Sequence, residues 1–219
     1  NYIKKLKNKS CVIVSFIEGN WIKSIKNSHC SQLGYHLAKL HLASTNFTQT
    51  RNNAMGQNKW ESLFNDFNSH NKNQYLEVYK IIKNELNILS HKWPKELPSG
   101  VIHADLFKDN VFFENGILSG IIDFYFACND YYAYELAVCL NAWCFERDQS
   151  FNTTKARLIL NAYQKERPLI KEEKKYFPIL SRGAALRFLL TRLNDLIFHP
   201  KDAIVNPKNP LEYLKILQF

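Results

Sequence analysis

The sequence predicts an α+β fold that is mostly helical, with one leading strand and one small β-hairpin among the helices. Several long segments repeat apolar residues at the helical period, whereas residues 10–17 form a short apolar, β-branched run. The dipeptide Asn115-Gly116 separates two further short apolar runs, a pattern typical of a tight hairpin because both residues tolerate positive φ. The 219 residues suit one or two domains with a sizeable core.

The N-terminal part predicts a strand followed by a helix. The strand over residues 10–17 ends at the break formed by residues 18–20. Ser28 can cap a helix that continues to about Ala43, with leucines along one face. A polar loop follows over residues 51–57.

The middle of the chain predicts two helices and a stop signal. Aromatic and leucine residues step at helical period over residues 60–67, and a longer helix follows over residues 74–90. Pro94 and Pro98 close this second helix and precede the most informative segment of the chain.

The C-terminal half predicts four helices. Residues 130–145 are almost entirely apolar, as in a buried helix. Asn152 or Thr153 can cap the next helix, Pro178 can begin a long one, and residues 211–217 predict a short last one.

Composition excludes several classes of protein. The net charge of +9 comes from scattered lysines, which favours a solvated basic surface over a nucleic-acid interface. No apolar run is long enough to span a membrane, and the N-terminus lacks the apolar core of a signal peptide. Five cysteines without CxxC spacing argue against a disulfide framework or a zinc site and favour reduced, cytoplasmic thiols, with Cys139 and Cys144 in the core.

The segment 101–124 carries the chemistry. Asp105, Asn110 and Asp123 follow the pattern H-x-D-x-x-x-x-N and then apolar-apolar-D. A phosphotransferase needs one carboxylate to accept the proton of the attacking hydroxyl, and an amide and a second carboxylate to hold Mg²⁺ against the phosphates of ATP. A hairpin between Asn110 and Asp123 would return the chain and bring both residues together. The alternative is that Asp105 is a helix cap and Asp123 a turn residue. The catalytic interpretation is favoured because three features agree with it: the loop motif, the predicted hairpin, and an Asp at the end of an apolar strand.

Two parts of a complete kinase fold are missing from the pattern. The chain shows no Gly-rich loop over the phosphates and no strand lysine paired to a helical glutamate. We therefore expect residues 1–17 to be the last strand and hinge of a truncated N-terminal lobe. Residues 18–219 would be the kinase-like C-terminal lobe with the catalytic and metal residues. The chain lacks an initiator Met, so we expect it to begin inside a longer one. Because the loop and the lysine that hold the ATP phosphates are missing, we expect the chain alone to be inactive, or nearly so.

Several runs resemble the homoserine kinases of the aminoglycoside-phosphotransferase-like superfamily, over about residues 12–219. The runs that carry this resemblance are residues 103–113, 118–128, 134–137, 140–146, 182–193 and 207–214. The resemblance implies ATP-dependent phosphorylation of L-homoserine in threonine biosynthesis. It implies Asp105 as the base and Asn110 and Asp123 as Mg²⁺ ligands.

The resemblance also implies where adenine would bind. The backbone of Val14, Ser15 and Phe16 resembles the hinge that meets the base of ATP. Lys108 is a departure, because protein kinases carry a lysine two residues after the catalytic Asp and here it is three after Asp105. We assign Lys108 no such role, and both an exposed loop lysine and a phosphate contact stay open for it.

Homoserine is a zwitterion, so its site needs groups for a carboxylate and an ammonium. Arg182, Arg187 and Arg192 lie five apart and fan by about 140° per step around one helix, so they cannot all face the site. Arg187 sits among apolar residues. It is either a substrate-carboxylate ligand or part of a buried salt bridge, and the sequence favours the salt bridge.

Three further residues surround the motif. Asp130 and Glu135 are candidates for the substrate ammonium. Glu135, however, occupies the position at which the superfamily braces the catalytic loop, and this structural role is favoured. We expect His103 to hold the loop by hydrogen bonding, without proton transfer.

Two other functions stay open at this point. The acceptor could be another small amino alcohol, such as choline or an aminosugar. An acidic pocket would favour a cationic acceptor, and an Arg-lined pocket an amino acid. Alternatively, the chain could be a catalytically dead fragment that binds a partner or nothing.

Overall fold

The computed structural model describes residues 3–70, 75–200 and 206–219, and it confirms a mostly helical α+β fold. Fourteen helices and strands follow one another along these residues: β1 Ile3–Leu6, β2 Lys9–Val12, β3 Asn20–Trp21, α1 Asn27–Ala43, α2 Gln57–His70, α3 Leu76–Lys92, β4 Ser99–Ile102, β5 Val111–Glu114, β6 Ile117–Ile121, β7 Cys128–Tyr131, α4 Tyr132–Trp143, α5 Thr153–Glu166, α6 Lys171–Ile197 and α7 Leu211–Gln218. Single 3₁₀ turns lie at Lys108–Asn110 and Phe124–Phe126.

The described strands form three small antiparallel sheets. Strands β1 and β2 pair with each other, β3 pairs with the β5–β6 hairpin, and β4 pairs with β7. The predicted hairpin turn is confirmed, since Asn115 and Gly116 have φ of 51° and 80°. Trp21 of β3 lies opposite Phe112 of β5, so the segment after β2 joins the sheet that precedes Asp123.

Helix α4 runs through the centre of the molecule and contributes to both halves of the core. One half forms around α2, α3 and α6, and the other around α1, α5 and the hairpin. Cys139 and Cys144 are fully buried, as predicted, and all five cysteines are free thiols. Helix α1 lies so close to α5 that a Cβ at Gly34 would be 2.2 Å from the carbonyl oxygen of Ile159, so this crossing requires glycine.

Two N-terminal predictions were wrong in detail. The strand predicted for residues 10–17 is β2 and ends at Val12, which lies opposite Ile3, and residues 13–17 belong to no strand. The helix predicted to be capped by Ser28 begins at Asn27 without a side-chain cap. Instead, the ring nitrogen Nδ1 of His29 accepts the backbone N–H of Lys26 at 3.2 Å.

The helix predicted from residue 130 begins at Tyr132. Residues 128–131 form β7 instead, because their backbone groups pair with β4, with Cys128 opposite Ile102. Neither strand was predicted from the sequence, since both are short and paired across a long chain separation. Asn152 is the residue that caps α5, accepting the backbone N–H of Lys155 at 3.0 Å.

The helix predicted to begin at Pro178 begins at Lys171, with Pro178 inside it. Glu173 explains the earlier start, because its carboxylate accepts the backbone N–H of Ile170 at 3.0 Å and lies 2.9 Å from Arg167. Pro178 removes one backbone N–H but has the φ that a helix needs. The predicted last helix is confirmed. Among the described residues, no helix has the length and apolarity needed to cross a membrane.

Candidate active site

Asp105 lies in the loop that leaves β4, at the wall of a cavity. It is half-buried, and the side-chain amide of Asn110 donates to its backbone carbonyl at 2.8 Å and lies 3.4 Å from its Oδ2. Burial raises the pKa of Asp105 above its usual value, although the positive charges of Arg187 and Lys208 oppose this. The carboxylate is therefore a stronger base than an exposed aspartate.

His103 joins the Asp105 loop to the end of the hairpin. Its Nε2 donates to the carbonyl of Ile122 at 2.8 Å, and its Nδ1 accepts the backbone N–H of Asp105 at 3.3 Å. These partners assign the proton to Nε2. The backbone N–H of Ile122 also donates to the carbonyl of Asn110 at 3.0 Å. These contacts place Asp123, the next residue, beside the Asp105–Asn110 loop, as the hairpin argument predicted.

The Asp123 and Asn110 side chains offer oxygen ligands. Asp123 is exposed and has no side-chain hydrogen bond within the described residues, and its φ of 63° turns the chain at this point. The amide nitrogen of Asn110 is used by Asp105, which leaves its carbonyl oxygen for a cation. One carboxylate and one amide oxygen fit Mg²⁺, which retains waters and takes phosphate oxygens as its other ligands. No cluster of three or more His, Cys, Asp or Glu with metal-site geometry occurs in the described ranges.

Glu135 holds the backbone of the catalytic loop from one side. Its side chain is fully buried on α4, and its two oxygens accept the backbone N–H groups of His103 at 2.5 Å and Ala104 at 2.8 Å. Ala104 is buried with a φ of 64°, an unfavourable conformation for a residue other than glycine. The two bonds to Glu135 stabilise this conformation and thereby the direction in which Asp105 points.

A buried network stands behind Glu135. His41 Nε2 lies 3.5 Å from Glu135, and its Nδ1 lies 2.7 Å from the hydroxyl of Tyr163. Burial raises the pKa of Glu135, but the hydrogen bond and charge of His41, the charge of His103 and the His103 backbone bond together lower it below its usual value. The carboxylate is therefore ionised at neutral pH.

Arg187 holds the same loop from the opposite side. It is 2% exposed, its Nη1 donates to the carbonyl of Ala104, and its guanidinium stacks on Phe188 and Phe126. No carboxylate of the described residues lies within ion-pair distance of Arg187, and its Nε has no hydrogen-bond partner there. The salt bridge favoured from the sequence is thus replaced by a bond to a backbone carbonyl.

The other two arginines of α6 are paired with carboxylates. Arg182 contacts Glu85 at 2.5 Å, and Arg192 contacts Glu212 at 2.8 Å. Asp130, a candidate for the substrate ammonium, uses both oxygens in hydrogen bonds, from the side chain of Asn53 and from its neighbour's backbone N–H.

Asp105 opens into a cavity of about 500 Å³. Arg187, Phe188 and Thr191 of α6 line it on one side, and the segment 206–208 lines it on another. This volume exceeds that of a small amino alcohol, so such an acceptor can enter beside the carboxylate.

The expected hinge residues lie elsewhere on the surface. Val14, Ser15 and Phe16 are exposed and belong to no strand, with Val14 at 77% and Phe16 at 83% exposure. The chain joins the hairpin sheet just after them, where the carbonyl of Glu18 accepts the hydroxyl of Ser119 at 2.6 Å. None of these three side chains contributes to the Asp105 cavity.

The sequence argument missed two residues of the site. His41 has no partner pattern in the sequence, because Glu135 lies 94 positions away. Lys208 was also missed: it lines the Asp105 cavity, and its Nζ lies 3.0 Å from Asp109. The only available signal for His41 was a histidine in an otherwise apolar helix face, which is too common to be informative.

The loop with Asp105 and Asn110, the β5–β6 hairpin and the helices packed around them define a kinase-like phosphotransferase lobe. The profile of the phosphotransferase enzyme family matches residues 6–169. The chain belongs to this family, and its relatives within it include homoserine kinases.

Two of these relatives show how much of the chain the similarity covers. The homoserine kinase of Nitrobacter hamburgensis is 50% identical over 98% of this chain and 66% of its own length. The homoserine kinase of Parvibaculum lavamentivorans is 51% identical over 98% of this chain and 67% of its own length. The chain thus spans about two thirds of the length of the relatives it matches.

Solved structures show the same fold at low identity. The ethanolamine kinase of Plasmodium vivax matches 99% of this chain and 65% of its own, with a TM-score of 0.69 and 16% identity. An amicoumacin kinase solved with AMP-PNP and Ca²⁺ matches 100% of this chain and 69% of its own, with a TM-score of 0.70 and 11% identity. At these identities the likeness concerns the fold alone.

Proposed function

We propose that the protein containing this chain transfers the γ-phosphoryl group of ATP to the hydroxyl of L-homoserine, giving O-phospho-L-homoserine for threonine biosynthesis. The observation that carries this proposal is the identity of about half of all residues with homoserine kinases over 98% of the chain. The site geometry supports the same reaction class, because Asp105, Asn110 and Asp123 converge on one loop and hairpin.

Asp105 acts as the base. The hydroxyl oxygen of homoserine attacks the γ-phosphorus, the bond from that phosphorus to the bridging oxygen of ADP breaks, and the hydroxyl proton passes to the Asp105 carboxylate. Asn110 and Asp123 would hold Mg²⁺, which would neutralise charge at the phosphates when bound. Glu135 and His103 keep the loop in the conformation that aims Asp105 at the cavity.

Arg187 anchors the substrate carboxylate. A buried guanidinium without a carboxylate partner in the described residues favours an anionic ligand, and Arg187 lines the same cavity as Asp105. This feature favours an amino-acid acceptor over choline or an aminosugar, which are cationic.

The remaining assignments concern the binding of ATP, the division of the chain into lobes and the location in the cell. The backbone of residues 14–16 binds adenine, residues 1–17 belong to the lobe that covers ATP, and residues 18–219 form the catalytic lobe. The five free cysteines support a cytoplasmic location. ATP and homoserine are the only partners proposed.

An ADP-release assay with three acceptors tests the proposed function. The protein is expressed with any residues that precede Asn1 in its gene, and L-homoserine, choline and an aminoglycoside are compared at equal concentration. We expect turnover with homoserine alone. Turnover with choline or the aminoglycoside alone would contradict the proposal that homoserine is the acceptor. No turnover with any of the three would contradict the proposed activity.

Replacing Asp123 by Asn should weaken Mg²⁺ binding more than it weakens folding. The substitution removes a charged ligand, and even loss of a residue that only orients a metal ligand costs about 10–100-fold in metal affinity. We expect the Mg²⁺ concentration for half-maximal activity to rise by at least about 10-fold. Asp148→Asn, at an exposed position outside the site, is the control. An unchanged Mg²⁺ dependence for Asp123→Asn would remove Asp123 from the metal site.

A further inference from the structure

The lysine within the catalytic loop does not face the acceptor cavity. Lys108 Nζ lies over the ring of Trp21, 6.0 Å from its centroid, and lines a second cavity to which Asp105 does not contribute. Phosphoryl transfer nevertheless places negative charge on three oxygens of the transferring group, and a cation close to them stabilises the transition state.

Lys208 places an ammonium at the acceptor cavity from the other end of the chain. It lines the acceptor cavity together with Asp105 and also borders the second cavity, whereas Lys108 lines only the second one. Its Nζ lies 3.0 Å from Asp109 Oδ2 and 5.1 Å from the ring centroid of Phe107. Both contacts are to residues within four positions of Asp105. The positive charge of Lys208 opposes the rise in the pKa of Asp105 that burial causes, which agrees with their proximity.

The contact between Lys208 and Asp109 is easily exchanged. The two side chains are 57% and 48% exposed, and ion pairs between exposed side chains are weak. A phosphoryl group in transfer offers more negative charge than a single carboxylate. The ammonium can therefore leave Asp109 for a phosphate at little cost.

The two arginines that line the cavity are held in place by other contacts, and one of them, Arg187, is already assigned to the substrate carboxylate. Arg187 is buried and donates to the carbonyl of Ala104, and Arg192 donates to Glu212 and to the carbonyl of Asn209. The bond from Arg192 also fixes the chain next to Lys208. Among the described lysines and arginines of this cavity, Lys208 alone is exposed, at 57%, whereas the side chain of Arg192 is 9% exposed and Arg187 is buried.

We propose that Lys208 exchanges Asp109 for the transferring phosphoryl group, and thus supplies from the C-terminal segment the cation that Lys108 does not supply. This inference rests on the proposed phosphotransferase function and adds a catalytic residue to it. Lys208 forms no covalent bond and keeps its proton throughout.

The first test is kinetic and uses the protein with any residues that precede Asn1. Lys208→Met should lower kcat for homoserine about 100-fold, in line with the loss of one transition-state charge donor, while KM for homoserine changes less than about 3-fold. Asp109→Asn breaks the same ion pair but keeps the ammonium, so kcat should stay within about 3-fold. Lys208→Arg should recover much of the rate. Equal losses of kcat in Lys208→Met and Asp109→Asn would show that the ion pair only stabilises the structure. A rise in KM for homoserine without a loss of kcat would show that Lys208 binds the substrate carboxylate. Either result overturns the proposal.

The second test needs no acceptor and separates this inference from the choice of homoserine. Binding of Mg²⁺·ADP is measured with and without aluminium fluoride, which mimics the transferring group. Lys208→Met should lose about 100-fold in affinity for the fluoride complex and keep its affinity for Mg²⁺·ADP. Equal fluoride-complex affinity in the variant and the original protein would overturn the role of Lys208, whatever the acceptor is.

Discussion

Replacing Asp105 by Asn should lower kcat for phosphoryl transfer about 1000-fold, because a positioned general base contributes about 10²- to 10⁴-fold. The substitution keeps the size of the side chain and removes only its ability to accept a proton. The fold should survive, since Asn110 bonds the backbone carbonyl of residue 105 at 2.8 Å. Steady-state ADP release at saturating ATP and homoserine gives the rate.

The control for this prediction is the temperature of unfolding, which should be unchanged in Asp105→Asn. A variant that unfolds normally and retains more than about a tenth of kcat would show that another group accepts the proton. The KM for ATP should also be unaffected, because Asp105 faces the acceptor cavity.

The pH dependence provides a further check on Asp105. Its carboxylate must be ionised to accept a proton, and burial raises its pKa. Activity should therefore fall on the acid side as pH decreases through this raised pKa, above the range of an exposed aspartate. Asp105→Asn should remove this acid limb from its residual activity. A limb that persists in the variant would belong to another group.

Replacing Glu135 by Ala should lower the free energy of unfolding by about 3–5 kcal/mol, the cost of breaking a buried charged interaction. The carboxylate accepts two backbone N–H groups at 2.5 Å and 2.8 Å, and without it both would be buried without a partner. Ala104 would also lose two of the bonds that hold its positive φ. Equilibrium denaturant unfolding measures the change.

Two further variants sharpen the Glu135 prediction. Glu135→Gln preserves side-chain volume but replaces one accepting oxygen by an amide that faces an N–H group, so it should also destabilise, by less than Ala. Glu77→Ala, at an exposed carboxylate that contacts Lys80, should leave the unfolding midpoint unchanged. A loss below about 1 kcal/mol in Glu135→Ala would mean that Glu135 does not hold the loop.

Much of the site could be predicted from the sequence because its geometry is local. Asn110 lies five residues after Asp105, and the hairpin turn at Asn115-Gly116 is encoded by two residues that tolerate positive φ. The hairpin then fixes the position of Asp123. Helix periodicity likewise predicted the helices, although Pro178 was wrongly taken as a start, because the helix begins at Lys171, where Glu173 accepts the backbone N–H of Ile170.

Tertiary structure decided what holds this local geometry in place. Glu135 reaches the loop from 31 and 32 residues away, Arg187 from 83, and Lys208 meets Asp109 across 99. A hydrogen bond of this kind depends on how helices pack, and packing is determined by side-chain volume and burial over the whole core, which leave no short pattern in the sequence. The sequence by itself therefore determined which side chains form the candidate site and the turn that unites them. Only the fold determined which buried charges fix the loop and which cation faces the cavity.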